Sequence, residues 1–358
     1  MAKSNLDQAK AAKFDEFYTQ YEDIQKEINA YIEFDPDVFK GKTILLPCDD
    51  PEWSNFTRFF AYNFKAFGLK KLISTSYAPD SKKFKPNYQP TIFETSDPSF
   101  DKQKTVINGK IFVLENTPGS NSFSPEDLKW SYLKGDGDFS SDEVRTLFRE
   151  ADIIVTNPPF SLFKEFLAQI FEFRKQFLII GNKNSITYKE VFPLFKANLL
   201  WSGATEWAGG MWFETMNTED IDKVVDGVNM KNVASIWLTN LDHGRRHEPL
   251  RLMSMEDNLR YSKHERIRSE GYNQYDNYNA IEVPYTDSIP KGYQGVMGVP
   301  ISFLEKYNPD QFEIIGATES EGTGFSNGLW IPESGIAQAT VKGEKVYKRI
   351  FIRFRRPL

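Results

Sequence analysis

The stretch Asp152–Phe160, with the sequence D-I-I-V-T-N-P-P-F, constrains the fold of this 358-residue chain more than any other. Its first half is an apolar, largely β-branched run that is long enough for a buried strand and too short for a helix. The two prolines that follow have no N–H to donate, so the strand ends before them. Because ligands bind outside the carboxyl ends of strands in open α/β sheets, Asn157 and Phe160 lie beside a candidate ligand crevice.

The side chains after this strand suit chemistry on the exocyclic amino group of a nucleobase. Such a group is a poor nucleophile because its lone pair is delocalised into the ring. The Asn157 side-chain oxygen and the Pro158 carbonyl can accept its two hydrogens, and Phe160 can stack on a base that has left the duplex. The tetrapeptide alone is equally consistent with a Pro-Pro turn and a buried phenylalanine after a core strand.

The length of 358 residues exceeds one ordinary domain, so two domains or one domain with a large extension are expected. With 40% hydrophobic residues, the chain can bury a substantial core. A single cysteine, Cys48, excludes a disulfide within the chain, and three histidines give no basis for a structural zinc site. No apolar run is as long as a membrane span and the first residues do not resemble a signal peptide, so a soluble cytoplasmic protein is predicted. The net charge of −6 argues only weakly against a nucleic-acid partner, because local charge governs binding.

The first part of the chain predicts a βαβ unit. Its elements are a helix over residues 5–33, a strand at Thr43–Leu46, a helix at Ser54–Phe67 and a strand at Lys70–Tyr77. The turn after the first strand contains no G-x-G-x-x-G, so a dinucleotide ligand is disfavoured. Its acidic pair, Asp49 and Asp50, would repel phosphate and attract a cationic or hydroxyl-bearing ligand, unless it only caps the next helix.

A long polar excursion, residues 79–127, follows this unit. Within it, Asn108-Gly109 predicts a hairpin between Thr105–Ile107 and Lys110–Leu114. Such a hairpin carries no functional implication.

A third strand is predicted at Ser131–Lys134, and it leads into a Gly-Asp loop with Asp138 and Phe139. A carboxylate can accept a hydrogen bond from the amino group of an adenine moiety, and an aromatic ring can cover its face. An ordinary surface turn explains the same residues.

Strands and helices continue to alternate as far as about residue 240. The further predicted elements are helices at Asp142–Glu150, Ser161–Arg174 and Thr187–Lys196, and strands at Phe177–Ile180, Leu199–Trp201, Met211–Glu214 and Val233–Thr239. This order predicts an α/β fold with a doubly wound, mostly parallel sheet.

The character of the chain changes near Leu241, where a stretch with many arginines and few long apolar runs begins. We therefore predict two domains, residues 1–242 and residues 243–358. Val346–Phe354 is predicted to be a strand in which basic side chains lie beside aromatic ones, as suits a phosphate backbone. An edge strand protected by its charges is the alternative. The candidate DNA-binding residues are Arg245, Arg246, Arg349 and Arg353.

Four segments in this order resemble the S-adenosylmethionine-dependent DNA adenine-N6 methyltransferases, and the EcoRI-type enzymes in particular. They are Lys13–Thr19, Pro47–Asp50 with Ser54-Asn55-Phe56, Gly137-Asp138-Phe139, and Asn157-Pro158-Pro159-Phe160. The last segment matches the catalytic tetrapeptide of the family, [DNS]-P-P-[FYW], and is the specific one. The stretch from Tyr275 to Gly316 is also similar to the EcoRI-type group, so the likeness covers most of the chain.

The resemblance implies a Rossmann-like class I methyltransferase domain with a C-terminal target-recognition region. It further implies S-adenosylmethionine as cofactor, double-stranded DNA as partner, monomeric action and no metal. The residues to which it assigns catalysis are Asn157, Pro158, Pro159 and Phe160. The residues to which it assigns the cofactor are Phe17, Tyr18, Thr19, Pro47, Asp49, Asp50, Asp138 and Phe139.

Two departures from the family pattern concern the cofactor. The usual glycine-rich loop after the first strand is replaced by the turn that begins at Cys48. The acid that generally binds the ribose is missing from Ser74–Tyr77. Asp49, Asp50 or Glu115 is therefore expected to take that role.

Several acceptors other than DNA adenine present a planar amino group of the same kind: RNA adenine, cytosine N4 and a protein glutamine amide. By resemblance, the basic C-terminal region favours nucleic acid, and asparagine at position 157 favours adenine. A nucleic-acid-binding protein without catalysis and a dehydrogenase are alternatives of other classes. The expected setting is restriction–modification or protection of phage DNA, whereas the recognition sequence and any partner nuclease cannot be inferred.

Overall fold

The computed structural model describes residues 18–52, 54–78, 95, 98–116, 130–215, 220–319 and 324–355. Contacts divide the chain into two compact units. The first unit lies within Met1–Ser185 and Gly203–Asp242, and the second lies within Ile186–Ser202 and His243–Leu358. The sequence-based boundary after residue 242 remains a prediction, and the contacts group Ile186–Ser202 with the second unit.

The regular elements of the described residues are numbered here in chain order. The α-helices are α1 Tyr21–Phe34, α2 Asn55–Tyr62, α3 Lys102–Ile107, α4 Asp142–Glu150, α5 Phe163–Glu172, α6 Phe192–Lys196, α7 Met255–Tyr261 and α8 Glu265–Glu270. The strands in the first half are β1 Tyr18–Thr19, β2 Thr43–Leu46, β3 Lys71–Thr75, β4 Lys110–Glu115, β5 Trp130–Tyr132, β6 Ile153–Thr156 and β7 Gln176–Asn182. The remaining strands are β8 Trp201–Ser202, β9 Met211–Glu214, β10 Lys223–Val225, β11 Val228–Val233, β12 Ser235–Thr239, β13 Ile281–Glu282, β14 Met297–Pro300, β15 Phe312–Ala317, β16 Thr340–Val341, β17 Glu344–Lys345 and β18 Arg349–Phe354.

The first unit is built on a large mixed sheet, in which its strands follow the order β5-β4-β3-β2-β6-β7-β12. The four central strands β3, β2, β6 and β7 are parallel. The strands β4 and β5 on one side and β12 on the other pair in antiparallel fashion. The α/β prediction is thus confirmed, but the sheet is mixed rather than mostly parallel. The parallel core matters for function because its strands end at one shared edge.

A second sheet of the first unit has the order β1-β9-β11-β10. Here Tyr18 pairs with Glu214 and Thr19 pairs with Phe213. The prediction of one helix over residues 5–33 is therefore wrong at Tyr18–Thr19, because cross-strand pairing overrides the helical spacing of the apolar residues. The helix itself begins at Tyr21, and residues 5–17 lie outside the described residues.

The predicted hairpin around Asn108-Gly109 is also wrong. The chain before it forms the helix α3, whose amino end is capped by Asp101. The Asp101 carboxylate accepts hydrogen bonds from the backbone N–H groups of Gln103 and Lys104 at 2.9 and 3.1 Å. Asn108-Gly109 therefore joins a helix to β4, because a local cap competes with the turn signal.

The helix after Phe160 begins later than its predicted cap. A short 3-10 helix spans Phe160–Leu162, and α5 follows with Leu162 at its N-cap position. Ser161 therefore does not occupy the cap. The 3-10 turn keeps Phe160 next to the end of β6 before the chain enters a regular helix.

Aromatic side chains of α2 form much of the core against the central strands. Ser54 caps the helix by accepting from the backbone N–H groups of Phe56 and Thr57 at 3.1 and 3.5 Å. Phe56, Phe59 and Phe60 are almost completely buried. Full burial of each such ring stabilises the fold by roughly 1.5–3 kcal/mol. This packing fixes the amino end of α2 at the edge where β2 ends.

The second unit contains a sheet of order β13-β14-β18-β15. The tail strand, predicted over Val346–Phe354, is β18 at Arg349–Phe354, and it pairs with strands on both sides. It is therefore an inner strand and not the edge strand of the alternative interpretation. Within this unit, Arg349 is buried against Glu282 through hydrogen bonds of 2.7 to 3.2 Å.

Candidate active site

The carboxyl ends of β2, β3 and β6 meet at one edge of the large sheet. The Thr156 hydroxyl at the end of β6 donates to Asp49 Oδ2 at 2.6 Å. The backbone N–H of Asp49, after β2, donates to the carbonyl of Thr75, at the end of β3, at 3.0 Å. Three loops that are far apart in sequence are thereby brought together, as the parallel pairing requires.

Asp49 is the centre of a buried hydrogen-bond network at this edge. It is 6% exposed. Its Oδ1 accepts from the Ser54 hydroxyl at 2.6 Å, and its backbone carbonyl accepts from the Ser74 hydroxyl at 2.5 Å. The Ser74 hydroxyl also lies 2.7 Å from the Thr57 hydroxyl of α2. Both carboxylate oxygens of Asp49 therefore have protein donors, which argues against a direct cofactor contact through this carboxylate.

Burial raises the pKa of Asp49 from 3.8 to about 7. The hydrogen bonds from Ser54 and Thr156 oppose this rise because they stabilise the charged form, whereas the nearby Asp50 charge adds to it. The carboxyl group therefore changes charge near neutral pH although it is enclosed in the protein.

The N-terminal segment of the predicted cofactor site joins this edge through Asn55. The Asn55 side-chain amide donates to the carbonyl of Thr19 at 2.8 Å. Thr19 is buried, and among the described residues its hydroxyl has no hydrogen-bond partner. Tyr18 is partly exposed beside it, and Phe17 lies outside the described residues. The structure thus brings two of the three predicted residues of this segment to the amino end of α2.

The turn between β2 and α2 also contains Pro47 and Asp50, the two remaining residues of this turn that the sequence analysis assigned to the cofactor. Pro47 is buried, and its carbonyl accepts from the Thr75 hydroxyl at 3.1 Å. Asp50 is partly exposed, and its Oδ1 accepts from the backbone N–H of Glu52 at 2.9 Å. Asp50 is therefore the accessible acid of this turn, whereas Asp49 is its buried one.

The Gly-Asp loop lies against the end of β3. The backbone N–H of Ala78 donates to the Asp136 carbonyl at 2.7 Å. Gly137 has a φ of +82°, and a Cβ at this position would overlap the carbonyl oxygen of Ser76. Only glycine permits this close approach, which carries Asp138 to the same edge.

Asp138 and Phe139 have different environments within this loop. Asp138 Oδ1 accepts from the backbone N–H and the hydroxyl of Ser140 at 2.7 and 2.6 Å, and the side chain is partly exposed. Phe139 is 7% exposed and packs edge-to-face on Phe166 of α5, with ring centroids 5.0 Å apart. Phe139 is therefore chiefly a core residue that anchors the loop to α5.

The tetrapeptide that follows β6 is only partly enclosed. Asn157, Pro159 and Phe160 are partly exposed, whereas Pro158 is buried. Phe160 packs against the core of the first unit. The strand and the core thus hold the backbone of the tetrapeptide in place, and the side-chain oxygen of Asn157 is itself buried.

Glu115, one of the three acids expected at a ribose, lies elsewhere. It pairs with Lys71 in the β3–β4 register, at the amino end of β3, and its carboxylate is 2.6 Å from the Lys71 ammonium. The Lys71 ammonium depresses the pKa of Glu115 below its usual range. This position is at the opposite end of β3 from the candidate site, which leaves Asp50 as the accessible acid.

The arginines predicted to bind DNA are all engaged within the second unit. Arg245 pairs with Glu305 at 3.0 Å and Arg353 with Glu313 at 2.9 Å. Arg246 is buried, with its guanidinium 3.7 Å from the centroid of the Trp201 ring. Arg349 is held in its buried pair with Glu282. The placements of Arg246 and Arg349 argue against their acting as phosphate contacts.

A cleft of about 1610 Å³ in the second unit carries other basic side chains. Its charged lining residues are Arg246, His247, Arg251, Lys291, Arg353 and Arg355, with Asp310 and Glu313. Arg251, Lys291 and Arg355 are exposed, and no carboxylate within the described residues pairs with them. None of these three was among the candidate DNA-binding residues of the sequence analysis, and Arg251 and Lys291 carried no signal because a single basic residue in a loop forms no pattern.

The sequence analysis also did not identify the hydrogen-bond donors around Asp49, at the edge where β2, β3 and β6 end. Ser54, Ser74 and Thr156 all donate hydrogen bonds around Asp49. Ser54 carried a signal as a helix cap, and Thr156 directly precedes the Asn-Pro-Pro motif. Their hydrogen bonds to this one residue span up to 107 residues of sequence and could be seen only in the structure.

Comparison with known proteins defines the class to which this α/β chain belongs. The family model for the adenine-specific methyltransferase EcoRI matches residues 5–355. The chain therefore belongs to the EcoRI family of adenine-specific methyltransferases. The prediction of an adenine-specific DNA methyltransferase is confirmed, and the alternative activities are not favoured.

Individual relatives agree with this membership. The Type II methyltransferase M.EcoRI of Escherichia coli is 43% identical over 317 residues, which cover 87% of this chain and 88% of the relative. The Type II methyltransferase M.MpnI of Mycoplasma pneumoniae is 32% identical over 361 residues, covering 98% of each chain. No solved structure matches the chain significantly. No helix of the described residues is long and apolar enough to cross a membrane.

Proposed function

We propose that this chain transfers a methyl group from S-adenosylmethionine to the N6 nitrogen of an adenine that has left the DNA duplex. The observation that carries the proposal is the position of Asn157-Pro158-Pro159-Phe160. The tetrapeptide follows β6 directly, at the edge where β2 and β3 also end. In a chain of this family, that edge is the expected location of both the cofactor and the base.

The residues at this edge fit the proposed cofactor. Thr19 has a buried hydroxyl without a partner among the described residues, as a ligand-facing group would have. Asp50 is the accessible acid for the ribose hydroxyls. Asp138 uses Oδ1 for Ser140, so Oδ2 would accept from the adenine amino group of the cofactor. The bound cofactor would supply an activated methyl group.

Asn157 and Pro158 would activate the target base. The Asn157 side-chain oxygen and the Pro158 carbonyl accept the two N6 hydrogens, which directs the nitrogen lone pair out of the ring system. Phe160 holds the face of the base by stacking. The nitrogen lone pair would form the new N–C bond to the methyl carbon as the bond between that carbon and the cofactor sulfur breaks, which would leave a neutral thioether, and one N6 proton would then leave to solvent. The contribution of the protein is positioning and electrostatic stabilisation.

The first unit would adopt the Rossmann-like arrangement of class I methyltransferases, with the second unit as target-recognition region. The basic cleft of the second unit supports the proposal that this unit binds the DNA backbone. Arg251, Lys291 and Arg355 are its exposed cations without carboxylate partners among the described residues. Arg245 and Arg353 are already paired with carboxylates, so we assign them a smaller share.

A biological setting follows from the relatives. M.EcoRI and M.MpnI both carry the name of Type II methyltransferases. We propose that this chain also protects DNA within a restriction–modification system.

The direct test is methyl transfer from labelled S-adenosylmethionine to unmethylated duplex DNA, followed by digestion to nucleosides. Label in N6-methyladenine is the expected result. Parallel reactions with cytosine-only DNA, with RNA and with a glutamine-containing protein serve as controls. Label that appears only in one of these controls would contradict the proposal, as would wild-type rates in the Asn157→Ala variant.

A further inference from the structure

Asp49 links the two loops that the proposed reaction must hold together. Its Oδ1 accepts from Ser54, the N-cap of α2, and its Oδ2 accepts from Thr156, the last residue of β6. Both hydrogen bonds are 2.6 Å long. One carboxylate therefore joins the turn on the cofactor side to the residue directly before Asn157.

The surroundings of Asp49 make this link rigid. The backbone N–H of Asp49 is bound to the Thr75 carbonyl, and its backbone carbonyl is bound to the Ser74 hydroxyl. The Asp49 backbone is thus attached to β3 while its side chain reaches the amino end of α2 and the end of β6. Because the site is buried, these hydrogen bonds act in a medium of low polarity and are strengthened by it.

The chemistry at Asn157 demands such precision. An amide that must accept from one N6 hydrogen is effective only when its oxygen is held within a fraction of an ångström of the required position. A misplacement of about 1 Å can cost on the order of 10²-fold in rate. The Thr156 side chain and the Asn157 backbone are adjacent, so the Thr156–Asp49 bond limits how far the start of the tetrapeptide can shift.

We propose that Asp49 and Thr156 are positioning residues that set the location of Asn157 relative to the cofactor turn. This inference rests on the proposed function, and it replaces the expectation that Asp49 itself contacts the cofactor. Within the described residues, both carboxylate oxygens of Asp49 accept hydrogen bonds from protein donors, so we assign Asp49 a structural role. Asp50 is then the acid that is available to the ligand.

The test compares two substitutions at Thr156 with a control elsewhere in the sheet. Thr156→Val keeps the shape of the side chain and removes the hydroxyl, whereas Thr156→Ser keeps the hydroxyl. The control is Thr239→Val in β12, which removes a buried threonine hydroxyl bound to the Phe177 carbonyl at 2.6 Å. Methyl-transfer kcat, KM for DNA and the dissociation constant for S-adenosylmethionine are measured for each.

The expected result is a fall in kcat of about 10- to 100-fold for Thr156→Val, with cofactor affinity nearly unchanged. Thr156→Ser should restore most of the rate, and Thr239→Val should remain near wild type. If Thr156→Val fails to fold, Thr156→Ala is measured instead, because it also removes the hydroxyl that donates to Asp49 and should show the same loss of kcat.

Three outcomes would overturn the inference. They are a kcat for Thr156→Val equal to that of Thr239→Val, no rescue by Thr156→Ser, or an effect confined to cofactor affinity. The last outcome would indicate that Asp49 contacts the cofactor, as the sequence analysis expected. Absence of methyl transfer by the wild-type protein would instead refute the proposed function, so the two failures are distinguishable.

Discussion

Polar residues have opposite roles in two regions of the molecule. One is the candidate catalytic edge of the first unit, where β2, β3 and β6 end, and the other is the basic cleft of the second unit. At the edge, Asp49 is buried and both of its carboxylate oxygens accept from hydroxyls. In the cleft, Arg251, Lys291 and Arg355 are exposed and have no carboxylate partner among the described residues. The first arrangement fixes geometry before a ligand arrives, whereas the second leaves charge available to a partner.

The difference predicts different responses to change. Interactions in a buried network are short-ranged and insensitive to salt, so their loss should appear in rate or stability. Interactions of exposed cations with a polyanion are long-ranged and screened, so their loss should appear in the salt dependence of binding.

The sharpest expected effect is at the catalytic edge. Asn157→Ala removes the acceptor that we propose for the reacting amino group, so kcat should fall by roughly 10³-fold or more. Cofactor affinity should be preserved, because we assign Asn157 to the base and not to the cofactor. Asn63→Ala, which removes another partly buried asparagine, is the matched control and should keep normal turnover. Single-turnover measurement of methyl transfer checks this, and a residual rate close to wild type would refute the acceptor role.

The second prediction concerns the ion pair between Arg349 and Glu282 in the second unit. This pair is buried, like the network around Asp49, and is not exposed like the cations of the cleft. Arg349→Met leaves Glu282 as an uncompensated buried carboxylate and should destabilise the protein by about 3–5 kcal/mol. Arg353→Met breaks only the exposed pair with Glu313 and should cost about 0–1 kcal/mol. Urea unfolding measures both. Equal stability of the two variants would argue against the structural role of Arg349.

The third prediction tests the cleft. Replacing Arg251, Lys291 and Arg355 together by glutamine should reduce the slope of log affinity against log salt by about 0.9 for each lost phosphate contact. Cofactor affinity should not change. A control triple variant, with Lys26, Lys102 and Lys306 replaced by glutamine, removes equal charge at exposed positions outside the cleft. If both triple variants shift the slope equally, only net charge matters and the cleft assignment fails.

The fourth prediction concerns the pH dependence of stability that Asp49 produces. Its pKa rises from 3.8 to about 7 on folding, chiefly through burial, with the Asp50 charge adding to the rise. The folded state therefore holds this proton more tightly than the unfolded state. The associated stability is fully present below pH 3.8 and is lost as pH rises through about 7. Asp49→Asn lacks this titration.

Urea unfolding of the wild type and of Asp49→Asn across this range tests the pH effect. The stability of the wild type relative to the variant should decline as pH rises towards 7 and then level off. A difference that is independent of pH would show that Asp49 does not titrate in this range.

Much of the first unit could be predicted from local patterns. Thr43–Leu46 and Asp142–Glu150 have the predicted bounds, because a short apolar run and a capped amphipathic segment each specify one conformation. The Asn-Pro-Pro-Phe segment was placed correctly after a buried strand, because proline cannot continue a ladder.

Elements that depend on distant partners were not predictable in this way. Tyr18–Thr19 became a strand, despite the helical spacing of the apolar residues around it, because β9 offered a partner. The antiparallel direction of β4 likewise follows from where the chain re-enters the sheet. Such choices are made by tertiary contacts, which local propensity does not encode.

The sequence by itself determined the residue types of the candidate site and their order: an aromatic segment, an acidic turn, an Asp-Phe loop and the Asn-Pro-Pro-Phe motif. Only the tertiary structure decided which members of each pair are accessible to a ligand. Asp50 is accessible where Asp49 is buried, and Asp138 is accessible where Phe139 is packed into the core. The reason is physical: chemistry is a property of the side chain, whereas exposure, hydrogen-bond partners and pKa arise from residues that folding brings together from up to 107 positions away.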